Sequence, residues 1–398
     1  MGSKYYLLRF MPLTFDFAII GSGVFGAWTA KYLRDSGASV ALIDAYGPGN
    51  SRSSSGGESR IIRNGYGRDE LYTRWAMRSL PLWQELFERT GRSLFHRTGV
   101  LWLSDQADPH VRGMAELLKS MQVHCEELDA SEIRRRYPQL SFESDDVSLG
   151  VLEPESGVLM ARQAVQALVK LLLGEDEDVD CRTAAVLPPG GEGSLADVKT
   201  SDGGSLSAGT FIFACGSWLP KLFPELLRGR IFPTRQEVFF LGAPPGSDDF
   251  RPPKMPAWLH HTHPDRPYAV PDLEHRGFKI AWDRHGPEFD PDRDTRVVPA
   301  TAIDHLRAYL KQHIPALKDA PVIETRVCHY ENTWNGDFLI DRHPGFDNVW
   351  LAGGGSGHGF KHGPAVGEYL SARLLRGAPA EPRFSLSGKQ TRRERAVY

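Results

Sequence analysis

The chain has 398 residues and a formal net charge of −3. That length fits two domains, or one domain carrying a large insertion, and the charge argues against a nucleic-acid-binding protein. Four cysteines, at 125, 181, 215 and 328, form no CxxC pair and no zinc-type spacing, which fits a reduced, cytoplasmic setting and gives no metal site.

Residues 1–12 read as a disordered extension, and Met11 offers a second start. Arg9 and Asp16 interrupt the apolar run there, which is too short to span a bilayer, so no membrane association is expected. The first organised unit is FDFAIIGSGVFGAWTAKYLRDSGASVALIDAY. Phe15 to Ile20 reads as a buried strand, Gly21-Ser22-Gly23-Val24-Phe25-Gly26 as a G-x-G-x-x-G turn, Val24 to Arg34 as a helix, and Ser39 to Ile43 as a second strand ending in Asp44. Gly21, Gly23 and Gly26 let the backbone turn tightly and approach a pyrophosphate on the helix N-terminus. Asp44 can accept hydrogen bonds from a ribose hydroxyl. The unit predicts a dinucleotide site, and both NAD and FAD use it.

A Gly/Ser-rich loop follows, then Arg60 and Arg63 in GESRIIRNGY. Their spacing puts them on one face of a helix or on opposite faces of a strand. One of them can grip a substrate carboxylate through forked hydrogen bonds, or the two can form surface ion pairs. The patterns at 69–90, 109–121, 161–174 and 301–314 predict helices; those at 99–104, 209–218 and 277–282 predict strands. HHTHPD at 260–265 resembles a metal cluster but has no carboxylate or cysteine at ligand spacing, and is expected to be a solvent-exposed loop. Lys279 alternates with Phe278 and Ile280. It is either an exposed strand lysine or a partly buried cation facing a cofactor, with Asp283 on its face. Near the C-terminus, NVWLAGGGSGHGFKHGPAVGEYL reads as strand, glycine turn and helix. Its backbone N–H groups around Gly355, Gly357 and Gly359 can meet an electron-rich ligand edge. Lys361 can hold an anion there, and His358 can donate or accept beside it. The basic tail KQTRRERAVY is read as solvated. A nucleotide domain in separated segments with an inserted substrate domain follows.

Taken together, GSGVFG, GESRIIRNGYG, EPESGVL, GFKIAW, VCHY with DFLIDRHP, and SGHGFK with AVGEYL resemble the monomeric sarcosine oxidase family. This family lies within the D-amino-acid-oxidase-like FAD amine oxidases and is also similar to fructosyl amino acid oxidases. The resemblance implies an α/β fold (α+β overall), with a Rossmann-like FAD-binding domain and an inserted substrate domain on a mainly antiparallel sheet. The expected boundaries are 13–90, 151–228 and 325–398 for FAD, and 91–150 and 229–324 for substrate. It implies FAD bonded through Cys328, Lys279 activating oxygen over the flavin, and Arg60 near the ring with Ser59 at the cofactor. It further implies Arg63 and Lys361 on the substrate carboxylate, and Tyr268 and Tyr330 lining the substrate pocket.

The implied reaction is oxidation of a secondary amine by a monomeric enzyme, with hydride passing to flavin N5, imine hydrolysis, and reoxidation by O2 to give H2O2. Two departures matter. Asp283 stands where sarcosine-type enzymes carry histidine and fructosyl amino acid oxidases carry an acid, and Gly354 and Gly355 replace bulkier residues, implying a wider pocket. A fructosyl amino acid oxidase and a flavin dehydrogenase with another electron acceptor are the alternatives.

Overall fold

A computed structural model describes residues 14–143, 146–175 and 179–389. The readings made for residues 1–12 and for the basic tail from 390 onward lie outside the described residues.

Two large sheets organise the molecule. In the first, four strands run parallel in the order Ser205–Phe213, Thr14–Ile20, Val40–Asp44, Val179–Thr183. Val349–Gly353 joins the other side of Ser205–Phe213 in parallel, and Leu339–Arg342 and Asp197–Lys199 add antiparallel edges. Helices cover one face, so the central strands are almost wholly apolar, as a sheet buried on both sides requires. The helices Val24–Asp35, Ala161–Glu175, Glu70–Thr90 and Gly363–Arg376 supply that cover, through residues such as Trp28, Trp83, Leu168 and Val366. Phe211, Phe213, Phe223 and Leu219 pack the other face.

The second sheet has eight strands, ordered Val322–Asn332, Phe232–Leu241, Phe278–Trp282, Pro267–Val270, Ala257–His260, Val100–Ser104, Leu149–Glu153, Glu126–Asp129. All neighbours are antiparallel except Ala257–His260 beside Val100–Ser104. Side-chain alternation sorts its two faces. Ile280, Phe278, Phe239 and Leu241 join the core closed by the helix Ala300–His313. Ala281, Val238 and Phe240 form a smaller cluster with Tyr268 and Cys328 on the opposite face, toward the first sheet. A small third sheet holds Arg60–Ile62 against Gly157–Leu159 and Phe95–His96.

The histidine run departs from the solvent-exposed loop expected of it. His260 ends a strand and is fully buried, with Nε2 3.1 Å from Asp146 and Nδ1 3.4 Å from the Tyr309 hydroxyl. His261 Nδ1 lies 2.6 Å from Asp108. These carboxylates come from segments more than a hundred residues earlier, so local spacing could not reveal them. Among the described residues no group of three or more histidine, cysteine or acidic side chains is arranged to hold a metal, and no helix is long and apolar enough to cross a membrane.

Candidate active site

A cavity of about 350 Å³ follows the carboxyl ends of the parallel strands, the position at which doubly wound sheets bind ligands. Ile20, Ile43, Ala184, Ala214 and Ala352, each at or just beyond a strand end, all line it. The turn after the first strand is shaped by contact. Gly21 has φ +108°, and a Cβ there would fall 2.4 Å from the carbonyl oxygen of Ala214. At Gly26 a Cβ would fall 1.9 Å from the Gly21 carbonyl, so glycine permits the helix to start this close to the strand. Gly23 caps the helix without a side-chain bond, leaving its N-terminus toward the cavity. Asp44 accepts from Ser22 N and Tyr46 N, both at 2.9 Å.

An acid at one end, a helix N-terminus in the middle and the Arg60 guanidinium further along make an elongated site with the donor set FAD needs. Gly21, Gly23, Asp44, Gly355, Gly357, Gly359, Arg60 and Tyr330 all line it. Gly26 acts behind the wall, by close packing.

At the Arg60 end, two sheets meet. Arg60 donates from Nη1 to the Ser59 carbonyl (2.9 Å) and from Nη2 to the Ser54 carbonyl (2.8 Å), and Nη2 also lies 3.4 Å from Cys328 Sγ. Lys279 reaches from the second sheet to the same Ser59 carbonyl at 2.9 Å, with the Ser59 hydroxyl at 3.4 Å. Its Nζ lies 5.4 Å from the centre of the Tyr268 ring. Lys279 is therefore buried, not an exposed strand lysine. Burial, and then the Arg60 charge beside it, hold its pKa well below the usual lysine value. Tyr268 is pushed up to about 12 by burial. Tyr330 donates to Asp283 at 3.2 Å.

Arg63 takes the other side. Because Arg60–Ile62 is a strand, Arg60 and Arg63 diverge. The Arg63 guanidinium stacks 4.5 Å from the Tyr66 ring and 4.4 Å from Trp102. Lys361 donates to the Tyr66 hydroxyl at 2.8 Å and to the His358 carbonyl at 3.1 Å. Two buried cations thus converge on one tyrosine. His358 Nε2 lies 2.9 Å from the Gly336 carbonyl, which can only accept, so Nε2 carries a proton, and the Tyr66 hydroxyl lies 3.3 Å from His358 Nδ1 and 2.7 Å from His362 Nε2. The loop holding Arg63 is anchored by buried Glu153, which accepts from Asn64 N (2.7 Å), Gly65 N (3.1 Å) and Trp102 Nε1 (3.2 Å).

The loop 355–361 connects the two clusters. A Cβ at Gly357 would fall 2.7 Å from the Tyr330 ring, while Lys361 holds Tyr66. Gly354 does not widen a pocket. Its φ is +69°, and a Cβ there would fall 2.7 Å from Thr333 Cγ2, so backbone shape and packing require the glycine. Sequence reading missed Tyr66, Glu153 and Glu58. Glu58 pairs with Arg162 and with Arg326 (2.8 Å), joining the helix Ala161–Glu175 to the strand Val322–Asn332 next to Ser59. Each is a buried polar residue whose partners are distant in sequence.

The family model for FAD dependent oxidoreductases matches residues 16–373. The chain belongs to this family. Within it, the chain belongs with the sarcosine oxidases expected from its motifs: monomeric sarcosine oxidase of Bacillus sp. (strain B-0618) is 30% identical over 377 residues, covering 92% of this chain and 94% of the relative. N-methyl-L-tryptophan oxidase of Citrobacter koseri is 29% identical over 381 residues, covering 94% and 98%. The crystal structure of L-proline dehydrogenase from P. horikoshii superposes with a TM-score of 0.79 at 22% identity, covering 94% of this chain and 98% of that one, which establishes the shared fold. FAD is the family's cofactor, and the cavity fits it.

Proposed function

We propose that this oxidoreductase is an oxidase of a secondary amine that bears a carboxylate: an N-methyl, cyclic or otherwise N-substituted amino acid. The observation that carries the reading is the convergence of Arg63 and Lys361 on Tyr66, joined by one loop to the Arg60–Lys279 cluster at the cofactor cavity. The names of the relatives, a sarcosine oxidase and an N-methyl-L-tryptophan oxidase, support the substrate class.

Bound FAD would supply the two-electron chemistry that takes an amine to an imine and reduces O2 to H2O2. The chain's own residues do the rest. Gly21, Gly23, Asp44, Ser59, Gly355, Gly357 and Gly359 hold the cofactor, and Cys328 tethers it through Sγ. Arg63 and Lys361 grip the carboxylate and so orient the amine carbon. Tyr268, Tyr330 and His358 wall the substrate space. Lys279 Nζ stands where negative charge develops. Charge arriving beside it returns the proton that burial disfavours, and the resulting ammonium stabilises that charge. In this reading segments 13–90, 151–228 and 325–398 form the FAD-binding domain, 91–150 and 229–324 form the substrate domain, and the enzyme works as a cytoplasmic monomer.

Asp283 favours one second reading, a fructosyl amino acid oxidase. Its carboxylate, bonded to Tyr330 at 3.2 Å, is suited to accept hydrogen bonds from a polyhydroxyl substituent. The test is anaerobic mixing with N-methyl amino acids, cyclic imino acids and fructosyl amino acids, followed by admission of O2 and assay of H2O2. The class that bleaches the flavin identifies the substrate. If no member of any class bleaches it, the amine oxidase reading fails.

A further inference from the structure

Glu331 lies near the end of the strand Val322–Asn332, on the face opposite Cys328 and Tyr330. It is buried and lines the cofactor cavity. Oε1 accepts from Gly355 N at 3.2 Å, and the Gly354 backbone N–H also bonds to the carboxyl. Oε2 is buried without a hydrogen-bond partner among the described residues. Glycines clear the surroundings: a Cβ at Gly216 or Gly353 would lie 3.4 Å from Oε2, and one at Gly355 would lie 3.3 Å from Oε1.

Burial pushes this carboxyl up to about 7, against the lowering effect of the two glycine N–H groups. The titratable group facing it is Cys215, whose own thiol burial pushes up, with Asp44 and Glu331 adding. The strand end at Gly353 and the following Gly354 and Gly355 present backbone. In the neutral acid, the oxygen that takes the N–H bonds stays bare and the proton sits on the other one. The O–H therefore belongs on Oε2, which finds no acceptor in the protein among the described residues. An unpaired buried donor is costly, and the cavity is the remaining source of a partner.

We propose that Glu331 is a cofactor-contacting residue: as the neutral acid it donates from Oε2 to an electron-rich oxygen or nitrogen of bound FAD, and so raises the cofactor's affinity for electrons. The bond strengthens as the acceptor gains negative charge, so it favours the reduced form.

The test uses the purified holoenzyme without any amine. Wild type, Glu331→Gln and Glu331→Leu are reduced with dithionite against a reference dye between pH 6 and 9. At pH 6 the leucine variant is expected to shift the reduced-to-oxidised ratio about tenfold toward oxidised, which is about 30 mV for a two-electron couple. The glutamine variant keeps an N–H donor and stays within about threefold of wild type. All three potentials fall with pH as the flavin couple takes up protons; above pH 8 wild type drops to the level of the leucine variant or below, because the carboxyl ionises, while the glutamine variant keeps its offset above the leucine variant. The proposal is overturned if wild type and the glutamine variant follow one pH curve, or if the leucine variant matches wild type throughout. Should the leucine variant fail to retain FAD, the comparison of wild type with glutamine decides alone. Dithionite reduction needs no substrate, so the result is independent of the amine oxidase reading.

Discussion

The guanidinium of Arg60 reaches across 268 residues of sequence to Cys328, with Nη2 3.4 Å from Sγ. That contact fixes the thiol at the Arg60 end of the cavity, where the strand Val322–Asn332 from one sheet meets the loop before Arg60–Ile62. If Sγ forms the bond to FAD, the denatured protein keeps its yellow colour, and its intact mass exceeds the chain mass by one FAD less two hydrogens. Cys328→Ser should lose the added mass on denaturation while the native protein stays yellow. An unmodified wild-type mass removes the tether and leaves the rest of the site standing.

The Lys279 amine is held by the Ser59 carbonyl at 2.9 Å, with the Ser59 hydroxyl at 3.4 Å and the Tyr268 ring face beside it. Lys279→Met keeps the volume and removes the group that takes up a proton when negative charge develops beside it. Loss of one preorganised electrostatic group costs a factor of about 10²–10³ in the step it serves. Stopped-flow mixing of dithionite-reduced enzyme with O2 should show a loss of that order. Reoxidation at the wild-type rate would exclude Lys279 from the oxygen step and revive the dehydrogenase alternative.

Tyr66→Phe removes the hydroxyl that accepts from Lys361 at 2.8 Å but keeps the ring under Arg63. A hydrogen bond to a charged group contributes about 1.5–3 kcal/mol, which is about a tenfold or greater change in affinity. Binding of a simple carboxylate inhibitor, read from the flavin spectrum, should weaken by about that factor, with the rate of flavin reduction at saturating amine changing less. Unchanged inhibitor affinity would mean that Lys361 does not hold the carboxylate through this arrangement.

What the sequence made legible follows from how local each signal is. The turn from Gly21 to Gly26, its flanking strands and Asp44 sit within the 31 residues from Thr14 to Asp44, and the strand–turn–helix physics is self-contained. The direction of Arg63 was open until the strand Arg60–Ile62 paired with Gly157–Leu159, which no local pattern specifies. His260 and His261 were misread because Asp146 and Asp108 reach them only in the folded chain. Gly354 was read as space for substrate when its φ of +69° and the methyl of Thr333 account for it. Glu331 gave no signal at all: a glutamate in a strand is ordinary until its surroundings prove to be glycines and a cavity.

His329 makes stability depend on acidity in a definite direction. Its Nε2 lies 2.7 Å from the Arg52 carbonyl, which can only accept, so Nε2 bears the proton and Nδ1 accepts from the Ser217 hydroxyl at 2.6 Å. Burial first, and then the charges of Arg296 and Arg60, lower its pKa from 6.5 to about 4. Between those values the unfolded chain takes up a proton that the folded protein refuses, so the free energy of unfolding falls as pH drops from about 6.5 to about 4. One proton corresponds to about 1.4 kcal/mol per pH unit, and the window to about 3 kcal/mol. His110, lowered to about 3 mainly by burial, adds in the same sense. His329→Gln cannot ionise. Denaturation midpoints of the holoenzyme from pH 7.5 to 4.5 should therefore fall less steeply for the variant, by close to one proton's worth, even though its stability at pH 7.5 is lower. Parallel curves for the two proteins would show that His329 is already protonated in the fold, and that the Arg52 and Ser217 bonds hold an imidazolium.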